Sequence, residues 1–283
     1  MTTFLEQVVA ERTAYVQGAR TRIPARALDV EHAPPPRSLF MALRRRSPEH
    51  LAVIAEVKRI SPANGRLAGP GLDPAVQALV YTGAAAAAAG LALVYAAAGA
   101  AAISVLTEPL HWGGSLDDLR AVRAAVKVPV LCKDVIVDEY LVREARAAGA
   151  DAVLLIAEAL DDERLAALIR ATEALGMEVL VEAHDPTAFG RAVRTGTRIV
   201  GANARDLRDP SVIDRSRARL LHTFVRPEQV FVAESGIESA EDLAELPTRV
   251  DAILVGTALM RAAHPATLVR ALAQAKRPAT AAR

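Results

Sequence analysis

The stretch of residues 128–156, VPVLCKDVIVDEYLVREARAAGADAVLLI, contains one complete strand–helix–strand repeat. An apolar run around Val130 opens it, helical periodicity from Glu139 to Ala148 follows, and a second apolar run, Ala152–Ile156, closes it. Parallel strands covered by helices on the outside produce such continuous apolar runs, because both faces of each strand are buried. The stretch therefore predicts a parallel βαβ unit.

The same alternation recurs along the 283-residue chain. We predict eight strands, with bounds good to about two to four residues: Leu51–Val57, Ala101–Leu106, Val128–Cys132, Ala152–Ile156, Glu178–Val181, Ile199–Gly201, Val230–Ala233 and Ala252–Val255. Helical patterns fill most of the gaps: Leu116–Ala125, Glu139–Ala148, Leu165–Leu175, Thr187–Arg194 and Ala240–Glu245. Eight such units predict an α/β fold, a (β/α)8 TIM barrel, and an open doubly wound sheet is the alternative.

The residues before the first strand are predicted to be a helical extension of the barrel. Thr3 and Glu6 have the spacing of a helix capping box, and the prolines of Ala33–Arg37 interrupt the helix before a second short helical segment. We therefore divide the chain into an extension at 1–50, a barrel at 51–275 and a disordered tail at 276–283, with no second domain.

Composition argues against several classes of function. Lys and Arg number 34 against 33 Asp and Glu, a net charge of +1, so no broad basic field is available for nucleic acid. The single cysteine, Cys132, cannot form an internal disulfide, and we interpret it as a small buried apolar residue in a reducing compartment. Charged residues near the start, such as Glu6 and Arg12, do not fit a signal peptide, so we expect a cytoplasmic protein.

One uncharged segment, Pro74–Thr107, is longer than the roughly 20 residues that span a bilayer. Its Ala and Gly content supplies little transfer free energy, so we expect a buried helix and a core strand and no membrane span. Within it, Ala78–Tyr81 recurs as Ala92–Tyr95, 14 residues later. A local duplication that preserves helical phase and a chance similarity in alanine-rich sequence explain this equally well.

Polar residues close most of the apolar runs, at the end of the barrel where active groups lie. Residues of this kind are Glu56 and Lys58, Lys133 and Asp134, Glu182, Asn203 and Arg205, and Glu234. A single Lys or Glu at a strand end is often a solvated loop residue, but several at corresponding ends favour a shared site. Acids and bases confined in one pocket shift each other's pKa values, as acid/base catalysis requires.

Glycines follow the last two strands, in Ser235-Gly236 and Gly256-Thr257. Barrels commonly bind phosphate there with backbone N–H groups, and glycine permits the close approach. The six histidines have no metal-ligand spacing, so we predict no metal site.

Longer motifs carry a family resemblance. They are IAEVKR at 54–59 with Ser61-Pro62, AISVLTE at 102–108, VLCKD at 130–134, EARAAGAD at 144–151, LVEAHD at 180–185, ESGI at 234–237 and VGTALMR at 255–261. In this order, over nearly the whole chain, they resemble the indole-3-glycerol-phosphate synthases. The resemblance implies ring closure of 1-(2-carboxyphenylamino)-1-deoxyribulose 5-phosphate to indole-3-glycerol phosphate in tryptophan biosynthesis, with loss of carbon dioxide and water and without a cofactor.

The resemblance also implies roles for individual residues. Lys133 would be the general acid, Glu182 a general acid/base, and Lys58 the contact to the substrate carboxylate. The remaining implied groups are the orienting residues Glu56, Asn203 and Glu234; the phosphate ligands Ser61, Ser235, Gly236, Gly256 and Thr257; the ring pocket Trp112, Leu131, Val135, Ala202 and Leu207; and the supporting residues Arg205 and Asp134.

The chain also departs from the family pattern. Val135 stands where phenylalanine is usual, Ala202 where isoleucine is usual, and Ala63 replaces a common serine. A paralogue acting on a related arylamino-deoxyribulose phosphate in secondary metabolism is therefore one alternative. A phosphoribosylanthranilate isomerase and a barrel that binds a phosphosugar without turnover are others. The expected partner is a small phosphorylated substrate, with no nucleic acid or membrane, and the oligomeric state, monomer or homodimer, stays open.

Overall fold

Eight parallel strands alternate with helices along the chain. The computed structural model describes residues 2–44, 49–63, 65–66 and 85–276. The strands are β1 (Ala52–Val57), β2 (Ile60–Ser61), β3 (Gly65–Arg66), β4 (Ala102–Leu106), β5 (Val130–Lys133), β6 (Ala152–Ile156), β7 (Glu178–Ala183), β8 (Ile199–Asn203), β9 (Val230–Glu234) and β10 (Ala252–Val255). All but β2 and β3 close into one barrel in the order β1-β10-β9-β8-β7-β6-β5-β4. The predicted TIM barrel is confirmed. Each predicted strand end lies within two residues of the observed one.

The described helices are α1 (Phe4–Arg22), α2 (Leu39–Leu43), α3 (Ala85–Ala97), α4 (Leu116–Ala125), α5 (Glu139–Ala147), α6 (Asp162–Ala174), α7 (Pro186–Arg194), α8 (Arg217–Leu221), α9 (Thr257–Arg261) and α10 (Pro265–Gln274). Side chains of Ser115, Asp138, Asp161 and Asp185 cap the N-termini of α4 to α7. The predicted helix at Ala240–Glu245 is a 3₁₀ helix, Glu241–Glu245. The antiparallel β2–β3 pair and the helices α8, α9 and α10 have no counterpart among the predicted elements.

The N-terminal extension packs against the loops that follow the barrel strands. Thr3 and Glu6 form the predicted capping box at the start of α1. The Phe4 amide donates to the Arg208 carbonyl 3.2 Å away, and its ring meets the ring of His111 edge-on at 5.0 Å. Helix α1 therefore lies over the end of the barrel at which the strands finish.

Pairing of the strands sets which side chains share a level inside the barrel. Lys133 lies level with Leu106, Ile156 with Glu182, and Asn203 with Glu234. Because alternate residues of a strand point to the same face, these side chains form one inward layer at the carboxyl ends of the strands. Leu131 and Leu180 lie below that layer, and both are buried.

The uncharged segment is described from residue 85 onward. There α3 buries Leu91, Ala92 and Tyr95 and precedes β4, as predicted. The first copy of the repeated motif, Ala78–Tyr81, lies outside the described residues, as does the predicted tail 276–283 apart from its first residue. Among the residues that the structure describes, no helix is both long and apolar enough to cross a membrane.

Candidate active site

A cavity of about 460 Å³ opens at the carboxyl ends of the barrel strands, a volume typical of small-molecule sites. It gathers fifteen of the residues that the sequence assigned to a site. They are Glu56, Lys58, Trp112, Lys133, Asp134, Val135, Glu182, Asn203, Arg205, Leu207, Glu234, Ser235, Gly236, Gly256 and Thr257. Residues up to 201 positions apart in the chain therefore meet at one pocket.

Lys133 is the centre of the charged cluster. Its Nζ lies 2.9 Å from Glu182 Oε2 and 3.2 Å from Glu234 Oε2. Burial lowers the pKa of the amine, but the negative charges of Glu182, Glu234 and Glu56 outweigh burial, so the pKa of Lys133 is raised. The lysine is therefore held in its protonated form and can donate a proton.

The carboxyl of Glu234 occupies a space that only a glycine leaves free. Its side chain is buried, and a Cβ placed on Gly201 would meet Glu234 Oε1 at 2.1 Å. Burial raises the pKa of Glu234 well above its ordinary value; the Lys133 ammonium opposes this, and neighbouring Glu182 adds to it. Gly201 thus allows a carboxyl with a raised pKa to sit beside Lys133.

A second ion pair lies across the barrel on β1. Lys58 Nζ is 2.8 Å from Glu56 Oε1, and both side chains are nearly buried. A Cβ on Gly256 would approach Glu56 Oε1 to 2.1 Å, so this glycine makes room for the carboxylate as well as lining the cavity. The glycine after β10 therefore has a packing role that the phosphate assignment did not include.

A hydrogen-bonded chain links β7, β8 and β9. Asn203 Nδ2 donates to Glu182 Oε1 at 3.3 Å, and Asn203 Oδ1 accepts from the Ser235 hydroxyl and the Arg205 amide, both at 2.9 Å. Ser235 has φ of 67° and Gly236 φ of 75°. A non-glycine residue in the left-handed region is strained by of order 1 kcal/mol, a feature that clusters at functional sites. The turn after β9 is thus held by the same asparagine that contacts Glu182.

Trp112 lines the cavity from a loop whose backbone amides bind the buried carboxylate of Glu108. Glu108 accepts hydrogen bonds from the backbone amides of Leu110, His111 and Trp112, at 2.9, 2.7 and 3.2 Å. Phe4 of α1 packs edge-on against the Trp112 ring, with centroids 5.8 Å apart. The N-terminal extension therefore supports the aromatic wall of the site.

Asp134 follows Lys133 and is held by three hydrogen bonds. Its Oδ2 accepts from Arg12 at 3.0 Å and from the Thr107 hydroxyl at 2.7 Å, and its Oδ1 accepts from the Val135 amide at 2.7 Å. Burial raises the pKa of Asp134, and the Arg12 charge opposes that rise. Neighbouring Cys132 is buried, which raises the pKa of its thiol to about 12 and leaves it uncharged.

Three assigned residues do not line the cavity. Leu131 points inward two residues before Lys133, one level deeper, and is fully buried. Ala202 lies between the inward Gly201 and Asn203, so it faces outward, into a small cleft beside Ala218. Ser61 is buried in the β2–β3 pair. The ring-pocket roles of Leu131 and Ala202 and the phosphate role of Ser61 therefore need correction.

Other cavity residues were not assigned from the sequence. Leu154 and Ile156 of β6 line it, as do Glu108 and Arg261. Alternation along β6 could have identified the first two, because they share the inward parity of that strand. Nothing local distinguishes Arg261, whose position at the end of α9 brings it to the cavity.

Within the described ranges, no group of three or more His, Cys, Asp or Glu side chains is arranged to hold a metal ion. The charged groups that line the cavity include proton donors and acceptors, Lys133 and Glu182 among them.

Comparison with known proteins identifies the family. The family model of indole-3-glycerol phosphate synthase matches residues 5–272. This chain belongs to the indole-3-glycerol phosphate synthase family. Among the relatives of this family member, indole-3-glycerol phosphate synthase 2 of Streptomyces coelicolor is 46% identical, over 85% of this chain and 86% of the relative. The indole-3-glycerol phosphate synthase of Parafrankia sp. is 44% identical, over 94% and 92%.

A solved structure shares the fold. The crystal structure of 3-hexulose-6-phosphate synthase from Salmonella typhimurium matches with a TM-score of 0.57 at 18% identity. The match covers 79% of this chain and 97% of that chain. At such low identity the likeness concerns the barrel alone.

Proposed function

We propose that this family member closes the ring of 1-(2-carboxyphenylamino)-1-deoxyribulose 5-phosphate to give indole-3-glycerol phosphate, carbon dioxide and water, in tryptophan biosynthesis. The observation that carries the proposal is the placement of Lys133 between Glu182 and Glu234 in the family's cavity. Such a cluster supplies the proton donor and acceptor that a condensation followed by dehydration requires.

Lys133 would protonate the substrate carbonyl oxygen as the aromatic ring carbon attacks. Its raised pKa keeps it charged at neutral pH, so it can also stabilise negative charge developing on that oxygen. Glu182, hydrogen-bonded to Lys133 and Asn203, would remove a proton during the later loss of water. Glu234 and Asn203 would orient these two groups.

Lys58, paired with Glu56 at the opposite side of the cavity, would contact the substrate carboxylate until it leaves as carbon dioxide. The phosphate would bind at the turns after β9 and β10, where Ser235, Gly236, Gly256 and Thr257 line the cavity. Arg205, whose pKa burial lowers, and Arg261 would add positive charge nearby. Trp112, Val135 and Leu207 would enclose the aromatic ring, together with Leu154.

The chain contains one cysteine. The single, buried Cys132 suits a reducing environment, so we place the reaction in the cytoplasm. The partner is a small phosphorylated molecule, and monomer and homodimer are both compatible with a site built from one chain.

The test is turnover of the purified protein with the arylamino-deoxyribulose phosphate, followed by indole absorbance. Formation of indole-3-glycerol phosphate with kcat/KM in the ordinary enzyme range of about 10⁴–10⁸ M⁻¹s⁻¹ would support the proposal. Binding without turnover would favour a non-catalytic phosphosugar barrel. Faster turnover of a substrate with a substituted ring would favour the paralogue in secondary metabolism.

A further inference from the structure

A small cleft borders Glu182 and Asn203, and Lys133 is not among the residues that line it. It has a volume of about 10 Å³ and is lined by Glu158, Glu182, His184 and Asn203, with Leu5 of α1 as part of its cover. That volume is close to the least in which one water molecule fits, and the lining offers it several polar partners. The cleft therefore connects Glu182 to Glu158.

Glu158 lies between this cleft and the solvent. It is part of the 3₁₀ turn Ala157–Ala159 after β6 and is partly exposed, whereas Glu182 is buried. Its Oε1 accepts the backbone amides of His184 at 2.6 Å and Asp185 at 3.2 Å. Because one oxygen receives both amides, the other oxygen can carry a proton without disturbing them.

The proposed reaction consumes one proton that the substrate does not supply. The substrate loses a carboxylate as neutral carbon dioxide when the bond to the ring carbon breaks and its electrons return to the ring. The carbonyl oxygen needs two protons to leave as water, and the substrate itself releases only one, from the methylene beside its nitrogen. Charge balance therefore demands one proton from solvent in every turnover.

We propose that Glu158 passes this proton from solvent, through one water molecule in the cleft, to Glu182 and so to Lys133. The inference rests on the proposed function. A proton leaving Glu158 crosses the cleft to Glu182, which gives it to Lys133 across their 2.9 Å hydrogen bond. Glu182 and Asn203 border both the cleft and the main cavity, whereas Glu158 lines only the cleft. Glu158 is a relay residue and acts through Glu182.

The charges around Glu158 suit a group that exchanges protons near neutral pH. Burial raises its pKa to about 7, the amides of His184 and Asp185 oppose the rise, and the charge of Glu182 adds to it. His184 Nδ1 donates to the Asn203 carbonyl at 3.0 Å, and its Nε2 lies 3.5 Å from Asp206. The other charged groups on the packed elements are Arg205 and Arg208 after β8, and Arg191 of α7, which donates to the Ala157 carbonyl.

The experiment compares Glu158→Gln with the wild-type protein in the turnover assay. Gln keeps an oxygen for the two amides but cannot carry the proton, so kcat should fall by about 10-fold or more while KM changes little. Small buffer acids such as imidazolium should restore kcat in proportion to their concentration. We expect wild-type kcat to decline above about pH 7, where Glu158 loses its proton, and we expect no such decline in the variant.

Two variants serve as controls. Glu144→Gln on α5 removes another partly buried carboxyl with a raised pKa, which accepts a hydrogen bond from the Tyr15 hydroxyl of α1; it should leave kcat and its buffer dependence unchanged. Glu158→Asp retains a carboxyl and should turn over faster than Glu158→Gln. If only the length of the side chain mattered, the shorter Asp would not recover any of the rate. Thermal melting verifies that each variant is folded.

Unchanged kcat in Glu158→Gln, with an active wild-type protein, would overturn the relay and leave the proposed function intact. A lower kcat that no buffer acid restores would assign Glu158 a structural role and also overturn the relay. A wild-type protein without turnover would overturn the proposed function itself.

Discussion

Replacing Gly201 with alanine should disable the site from within the barrel wall. The new Cβ would lie 2.1 Å from Glu234 Oε1 and 3.3 Å from both Glu234 Cδ and Leu180 Cδ1. The first of these is more than ~1 Å short of van der Waals contact. Glu234 is buried and cannot move outward freely, so its carboxyl must shift by about that distance toward the cavity.

The size of the expected loss of turnover follows from the distance between Glu234 and Lys133. Glu234 Oε2 lies 3.2 Å from Lys133 Nζ, so a shift of ~1 Å breaks or reorients this contact. A misplacement of that size costs about 10²-fold in rate, and overpacking costs about 1–3 kcal/mol in the free energy of unfolding. The assays are turnover at saturating substrate and denaturant unfolding.

Two further variants isolate the cause. Gly90→Ala on α3 places a Cβ with nothing within 4 Å, and it should leave turnover unchanged and stabilise the helix by about 0.5–1 kcal/mol. In a Glu234→Ala background, Gly201→Ala should cost no further stability, because the clashing oxygen is gone. Additive losses in the double variant, or wild-type turnover in Gly201→Ala, would refute the reasoning.

Four other outcomes are expected. Lys133→Met should lower kcat by about 10²–10⁴-fold in a protein whose thermal melt shows it folded, and Glu182→Gln should lower kcat more than it alters KM; unchanged turnover would remove that residue from the mechanism. Val135→Phe should tighten substrate binding several-fold, since an aromatic edge adds about 0.5–1.5 kcal/mol; a titration showing weaker binding would indicate a pocket shaped for a larger ring. The pKa of Glu158 is about 7 in the folded protein against an ordinary value of 4.5, so the folded protein keeps a proton that the unfolded chain releases. The free energy of unfolding of the wild-type protein should therefore fall relative to that of Glu158→Gln as the pH rises from 5 to 8. The expected fall is up to about 3 kcal/mol, measured by urea unfolding.

The charged cluster at the carboxyl ends of the strands was predictable because barrel topology converts position along a strand into position in space. Lys133, Glu182 and Glu234 each end an apolar run, and parallel strands bring those ends to one rim. The family resemblance, and not this logic, misplaces Ala202, whereas its neighbour Asn203 was correctly directed inward. Strict alternation of side chains along β8 excludes Ala202 from the pocket, and family resemblance alone does not.

The level of a residue along the barrel axis could not be predicted from the alternation of side chains along its strand. Leu131 has the inward parity of Lys133, yet it lies one level lower, beneath the charged layer. Parity along a strand repeats every two residues, so it distinguishes the two faces of the strand and not the floor from the rim. The stagger between neighbouring strands decides which level meets the cavity.

The sequence by itself determined the strands, the capped helices and the residues that end each strand, because those signals are local in the chain. Only the tertiary structure decided the contacts between distant residues. Arg12 reaches Asp134 across 122 positions, Glu158 reaches the amides after β7, and Gly201 leaves space for Glu234. Each of these depends on how two elements approach after the barrel closes. Side-chain packing at ångström distances settles that approach, and no pattern along one segment records it.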